Sequence, residues 1–166
     1  GFGMISTDLW IDVLALIGKE SHMLDTKDWD GWLDCYDKDA EYWAPAWDDN
    51  EMLIDNPQKE ISLIYYPTRA GLEDRVFRIR TGKSSASKPL FRTAHQFSLL
   101  KTERNGDRIH ATTSWVCKSF RETMAIEYFG LAEYELFAQS DALKIMKKKT
   151  IVNNDIATTV MDFYMI

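Results

Sequence analysis

The chain predicts an α+β fold, with helices first and a meander of long antiparallel strands second. Three observations carry that expectation. Apolar residues recur at helical spacing from Leu9 to Leu24, and again from Leu72 to Ile79. The period then switches to two, so that Phe91, Thr93, His95, Phe97 and Leu99 share one face of a strand. A turn-forming Asn105-Gly106-Asp107 leads from that strand into a second long run, as a hairpin requires. The pattern calls for about three helices in the N-terminal half over a sheet of about five or six strands.

The elements follow in order. Ser6 or Thr7 can cap the first helix, whose stripe is Leu9, Trp10, Val13, Leu16, Ile17 and Leu24. Asp25-Thr26 breaks it. Lys27 to Tyr36 then predicts a shorter helix with Trp29, Trp32, Leu33 and Tyr36 on its apolar side. A strand is expected at Ala40 to Ala44, an acidic irregular stretch from Pro45 to Pro57, and an apolar strand at Ile61 to Tyr66, ended by Pro67. Ala70 to Arg80 returns to helix, with Asp74 one turn before Arg78 in the favourable order for an ion pair. A Ser/Pro loop at 84–89 precedes the hairpin strands, the second running from Ile109 to Phe120. Further strands are expected at Thr123 to Phe137 and Leu143 to Val152, before a tail from Ile156 to Ile166.

Composition narrows the functional classes. The 166 residues fit one domain spanning 1–166, long enough to bury its own core, with Gly1-Phe2-Gly3 ahead of Met4 read as an expression remnant. A net charge of -6 argues against nucleic acid as a partner. No apolar run reaches the roughly 20 residues that span a bilayer, and no signal peptide opens the chain, so a membrane partner is not expected. Two cysteines far apart in sequence fit a reducing, cytoplasmic setting.

The same counts bear on metals. A Rieske centre needs two Cys and two His, and a mononuclear non-haem iron needs two His and a carboxylate. The chain offers Cys35 and Cys117, with no His two residues beyond either, and only His22, His95 and His110. None of the histidines forms a close-spaced pair. The expectation is that this chain carries neither metal.

Residues 58–95, QKEISLIYYPTRAGLEDRVFRIRTGKSSASKPLFRTAH, join an apolar run, a Pro turn, an arginine-rich helix and a small-residue loop. This stretch resembles the small (beta) subunit of aromatic-ring-hydroxylating dioxygenases, of the benzoate and anthranilate type. The resemblance extends to Leu24-Asp25, Asp28 to Tyr36, Ala40 to Trp43 with Pro45 and Trp47, Tyr128-Phe129-Gly130, and Lys147 to Asp155. It loosens over 96–120, Met124 to Tyr128 and the tail. It implies an NTF2-like cone, in which N-terminal helices pack on a strongly curved, mainly antiparallel sheet. It also implies a non-catalytic structural subunit supporting cis-dihydroxylation of a small aromatic acid. The Rieske 2Fe-2S cluster and mononuclear iron would then sit on a large (alpha) subunit, in a hexamer of three large and three small chains with the small chains forming a trimer.

Particular residues admit two readings. Trp43 and Trp47 flank Pro45, which stops a regular strand and leaves at least one ring hard to place in the sheet's own core. With Arg69, Arg75, Arg78, Phe163 and Tyr164 they are candidate interface anchors, since arginine and aromatic residues dominate hot spots. The apolar tail residues Val160 and Ile166 join that set, because an apolar chain end is ordered only when docked. Lys147, Lys148 and Lys149 alternate faces in a strand and make no single patch. The alternative function is a stand-alone NTF2-like isomerase or dehydratase, with His95 as general base and Asp34, Tyr42 or Tyr128 as partners. The bland reading of His95 is a partly buried histidine satisfied by a hydrogen bond.

Overall fold

In the computed structural model the described residues are 7–47, 62–82, 89–154 and 161–166. The acidic stretch beyond Trp47, the loop 83–88, Ile61, Ser6 and Val160 lie outside them. Helix α1 runs Thr7–Thr26, and its buried face is Leu9, Val13, Ile17 and Leu24 with Glu20 among them. It ends where Lys27 turns to a positive φ of 59°. The short helix α2, Trp29–Asp34, is capped by the Asp28 carboxylate, which accepts from Gly31 N at 3.0 Å, and it buries Trp29 and Trp32. Helix α3, Arg69–Arg80, buries Leu72 and Val76.

Among the described residues six strands form one sheet: β1 Tyr36–Pro45, β2 Ser62–Tyr66, β3 Arg92–Asn105, β4 Arg108–Arg121, β5 Met124–Gln139 and β6 Ala142–Val152. Their order is β2-β1-β6-β5-β4-β3. Every neighbouring pair is antiparallel except β1 with β6, which run parallel. The expected NTF2-like α+β arrangement is therefore present. Two-residue turns join β3 to β4, β4 to β5 and β5 to β6, with Gly106, Glu122 and Ser140 taking the positive φ that such turns demand.

Both ends of α2 differ from the sequence expectation: α1 runs on through Asp25-Thr26, and α2 starts at Trp29, after the positive-φ Lys27 and the Asp28 cap, rather than at Lys27. Tyr36 begins β1 rather than ending α2, and β1 starts four residues before Ala40. The spacing misleads because Trp32 and Tyr36 pack ring against ring, 4.9 Å between centroids, across the helix–strand junction. The chain turns there because Ile145 N donates to Cys35 O at 2.9 Å, and Arg69 Nη1 donates to Tyr36 O at 2.8 Å.

The inner face of the sheet holds the helices and the core. Along β4, Ile109, Ala111, Thr113, Trp115, Cys117 and Ser119 are buried, while the residues between them face outward. A final 3-10 turn, Phe163–Met165, also lies inside, with Phe163, Tyr164, Met165 and Ile166 all buried.

Candidate functional site

Three places can carry function: a charged network in the core, a histidine cluster near the tail, and the outer face of the sheet. Glu20 of α1 sits within an apolar stripe and is fully buried. Its carboxylate accepts from Trp32 Nε1 at 3.0 Å, from the Tyr134 hydroxyl at 2.9 Å, and from Lys148 Nζ at 3.1 Å on both oxygens. Burial pushes the Glu20 carboxyl upward, but the Lys148 charge and these donors more than offset that, leaving it below the usual carboxylate range. Lys148 reaches the interior because the β5–β6 register shifts between Glu135 and Leu136. Lys147 and Lys149 then point outward to Glu41 and Glu133, at 3.3 and 3.9 Å. The network is closed on itself and offers no free group for chemistry.

His95 projects from the inner face of β3 toward the end of α1. Its Nδ1–H donates to Asp25 Oδ1 at 2.6 Å, while its backbone N–H donates to Asp25 Oδ2 at 2.9 Å. The Thr93 hydroxyl donates to the same carboxylate at 2.8 Å. His95 Nε2 faces the carbonyl of Ile166 at 3.3 Å. Burial pulls the imidazole pKa down, but the bond to Asp25 and the nearby Cys117 sulfur outweigh it and raise it to about 9. Asp25 is held below the usual carboxylate range, burial notwithstanding, by the donors around it. His95 is thus an imidazolium with both N–H groups engaged, and a base needs a free lone pair.

The partners proposed for His95 do not converge on it. Asp34 is exposed and pairs with Lys19 and Lys144. The Tyr42 hydroxyl donates to Phe163 O at 3.4 Å. Tyr128 faces Cys117, which faces His95, so these three share one row across β5, β4 and β3. The residue that completes the cluster is Asp25, whose position suggested only a helix stop. An acidic residue at a helix end and a histidine on an apolar strand face are the signal available in sequence, and neither points to the other.

The suggested interface anchors fall into two groups. Phe163 and Tyr164 are not at the surface: Phe163 stacks on Trp32 at 4.7 Å, and the Tyr164 hydroxyl accepts from Phe91 N at 3.1 Å. The interior of the sheet is lined with aromatic side chains, and the tail is the apolar segment that fills it. Arg75 serves the same end, gripping Asp162 at 2.5 Å. Trp43 is covered as well, donating to Ser62 Oγ at 2.8 Å and flanked by Lys147 and Lys149. Arg69 holds Glu73 and the Tyr36 carbonyl. Arg78 makes only an exposed pair with Asp74, and Trp47 is 42% exposed while donating to Val152 O at 2.8 Å.

On the outer face, cross-strand register brings Ile151, Leu131, Ser114 and Ser98 into one row and Phe129, Val116 and Gln96 into the next. Neither row carries a charge. Phe129 is 47% and Leu131 39% exposed. Between them Gly130 packs so closely that a Cβ would lie 1.8 Å from Ile151 O, and Asn153 N donates to Phe129 O at 2.7 Å. That contact is why Tyr128-Phe129-Gly130 ends in glycine. The arrangement presents an uncharged belt in which Phe129 and Leu131 stand exposed beside Val116 and Ile151, with Ser98, Ser114 and Gln96 at its β3–β4 end. Exposed apolar side chains grouped in this way mark a contact surface.

Residues 19–159 match the family model described as ring hydroxylating beta subunit. The 2-halobenzoate 1,2-dioxygenase small subunit of Burkholderia cepacia is 43% identical over 156 residues, covering 93% of this chain and 94% of that one. The benzoate 1,2-dioxygenase subunit beta of Acinetobacter baylyi is 47% identical over 146 residues, covering 87% and 86%. The crystal structure of the benzoate 1,2-dioxygenase beta subunit from Burkholderia mallei superposes with a TM-score of 0.79 at 40% identity, covering 99% of this chain and all of that one.

Proposed function

The chain belongs to the ring hydroxylating beta subunit family, and from that premise we propose that it is the non-catalytic small subunit of a terminal oxygenase for a benzoate-type aromatic acid. The observation that carries this reading is the likeness running nearly end to end to small subunits whose names give halobenzoate and benzoate as substrates. The interior supports the same view. His95 has no free nitrogen, Glu20 has no free oxygen edge, and the tail fills the space between them. The stand-alone isomerase or dehydratase is accordingly not favoured.

We further propose that the iron centres such an oxygenase uses lie outside this chain. Among the described residues no cluster of three His, Cys, Asp or Glu side chains is placed to hold a metal ion. Cys35 lies beside Gly31 O and Cys117 beside His95, both buried, and His95 is already committed to Asp25 and Ile166. We therefore assign the Rieske cluster and mononuclear iron to a large subunit and derive no chemical step on this one. The small chains form a cyclic trimer within a three-plus-three hexamer, using the outer belt and Trp47. Closed symmetry needs one heterologous pair of surfaces repeated three times. The setting is cytoplasmic, in keeping with two unpaired cysteines; among the described residues no helix is long and apolar enough to cross a membrane.

The test is co-expression with a Rieske-type large subunit active on aromatic acids. The two chains should copurify in equal numbers at hexamer mass and, given O2 and a reductase that passes on two electrons from NADH, form a cis-diol from benzoate, while this chain purified alone carries no stoichiometric iron. Copurification failing with every benzoate-type large subunit, or turnover of an aromatic acid by this chain alone, overturns the proposal.

A further inference from the structure

The segment Phe163–Ile166 occupies the interior of the sheet as a ligand occupies a pocket. Its contacts divide cleanly by chemistry. The Phe163 ring lies on Trp32, 4.7 Å between centroids at 23°, with Trp29 edge-on at 5.6 Å. Tyr164 also meets Trp29 edge-on, at 5.9 Å. Among the described residues, and apart from the two bonds to Asp162, the polar contacts made to the segment supply a donor and take an acceptor from it. The Tyr42 hydroxyl donates to Phe163 O, Phe91 N–H donates to the Tyr164 hydroxyl, and His95 Nε2–H donates to Ile166 O. The walls are therefore aromatic faces set with donors, and the segment answers with rings and acceptor oxygens.

Charge around the same mouth is unbalanced. His95 is a cation, Lys27 Nζ lies 5.8 Å from the Tyr164 ring, and the Arg121 guanidinium lies 4.1 Å from the Phe91 ring. Asp25 faces them, while Arg75 and Asp162 neutralise one another. With the segment absent, the space these four buried residues fill would be walled by the Trp29 and Trp32 rings and would hold three unpaired donors. Leaving buried donors unpaired is costly, and apolar cavities of this kind take up small aromatic molecules.

We infer that the interior is a latent binding site for a small aromatic acid, occupied in this chain by its own residues Phe163–Ile166. The aromatic body takes the place of the Phe163 ring between Trp29 and Trp32. The carboxylate takes the donor that His95 Nε2 now gives to Ile166 O. The site stands whether or not the chain joins an oxygenase, because it uses only the inner face. A cation of the same shape meets His95, Lys27 and Arg121, and a neutral ring leaves the donors unpaired.

The experiment uses the full-length chain carrying Phe163→Asp, since a carboxylate cannot remain between two indoles without a partner. Hydrogen exchange at residues 163–166 reports that the segment has left. Calorimetry then compares phenylacetate, phenethylamine and toluene. The native chain should bind none of them, and the variant should bind phenylacetate at least about tenfold more tightly than phenethylamine. Adding His95→Phe should weaken phenylacetate about tenfold without weakening toluene, which a purely packing role for His95 does not produce. A chain ending at Asp162 should behave as Phe163→Asp does. Should either variant unfold, phenylacetate at millimolar concentration should restore its circular dichroism, as a ligand of the folded state must. Equal binding by the native chain, a folded variant that ignores phenylacetate at about 10 mM, or an unfolded one that phenylacetate does not restore, each overturns the inference.

Discussion

The two faces of one sheet have opposite fates. On the inner face, Glu20 is paired with Lys148 and Asp25 with His95, and the mouth is closed by residues of the same chain. Across the same strands, one residue along, Phe129 and Leu131 stand in solvent beside Val116 and Ile151. The backbone is shared, so the difference lies wholly in which side chains alternate with which. A curved sheet around helices provides a natural pocket, and here that pocket is used for stability. What remains available for recognition is the outside.

The sharpest way to break the contrast is to disturb the interior where it is most tightly matched. Glu20→Leu leaves Lys148 buried without its partner, and removing one member of such a pair costs about 3–5 kcal/mol. Urea unfolding should show the midpoint fall with an unchanged slope. The double variant Glu20→Leu with Lys148→Met should recover most of that loss, since a well-packed apolar pair substitutes for a buried ion pair. A single variant that loses less than about 1 kcal/mol would mean that the interior is not closed around this pair.

A milder disturbance is pH. The imidazole of His95 is raised from 6.5 to about 9 in the folded chain, so folding takes up a proton between those values. The stabilisation is fully present below pH 6.5 and is lost as pH rises through about 9. At 1.36 kcal/mol per unit the shift sets an upper bound near 3 kcal/mol; the partial exposure of Asp25 lowers the expectation to about 2 kcal/mol. The lowered pKa of Asp25 adds an acid limb: its contribution is present above the ordinary 3.8 and is lost as pH falls through the folded value. Unfolding free energy measured from pH 5 to pH 10 should therefore fall across the alkaline range, and His95→Gln should flatten that fall. A native chain equally stable at pH 6 and pH 9.5 would remove the ion pair from the account of the tail.

Much of this contrast was legible in sequence, and the missing part has a physical reason. The stripe Leu9, Val13, Ile17, Leu24 and the alternation from Phe91 to Leu99 are local periodicities, and both hold in the structure. So is the helix at 69–80, found within one residue of its expected start. Pairing across long stretches of chain is not local. Nothing around Tyr42 announces that it runs parallel to Lys148 more than a hundred residues later. Glu20 was invisible for the same reason, because a carboxylate in an apolar stripe acquires meaning only when a lysine arrives opposite. That lysine faces inward through a register shift that residue counting does not reveal. The tail shows the limit most plainly: its apolar character says that it docks, and only the fold says that it docks on its own chain.

The smallest effect on stability is expected on the outer face, and it is the one that bears most on function. Phe129→Asp and Leu131→Asp lie across from the core, where losing an apolar cross-strand pair and placing Asp in a strand cost about 1 kcal/mol. The isolated chain should therefore melt nearly as the native one does. If the belt is a contact surface in the oxygenase, each charge placed in it must be desolvated on assembly without a partner, so complex formation should fail. Trp47→Ala should act in the same direction and more weakly, by about 1–4 kcal/mol per site, since the ring is half covered and its indole N–H is already spent on Val152 O. Light scattering of the variant chain, alone and with a large subunit, reads the outcome directly. Variants that keep both their stability and their assembly would leave the belt without a role. Variants that lose both would place it in the core economy of the fold, and the division between a closed inner face and an outward-facing one would not hold.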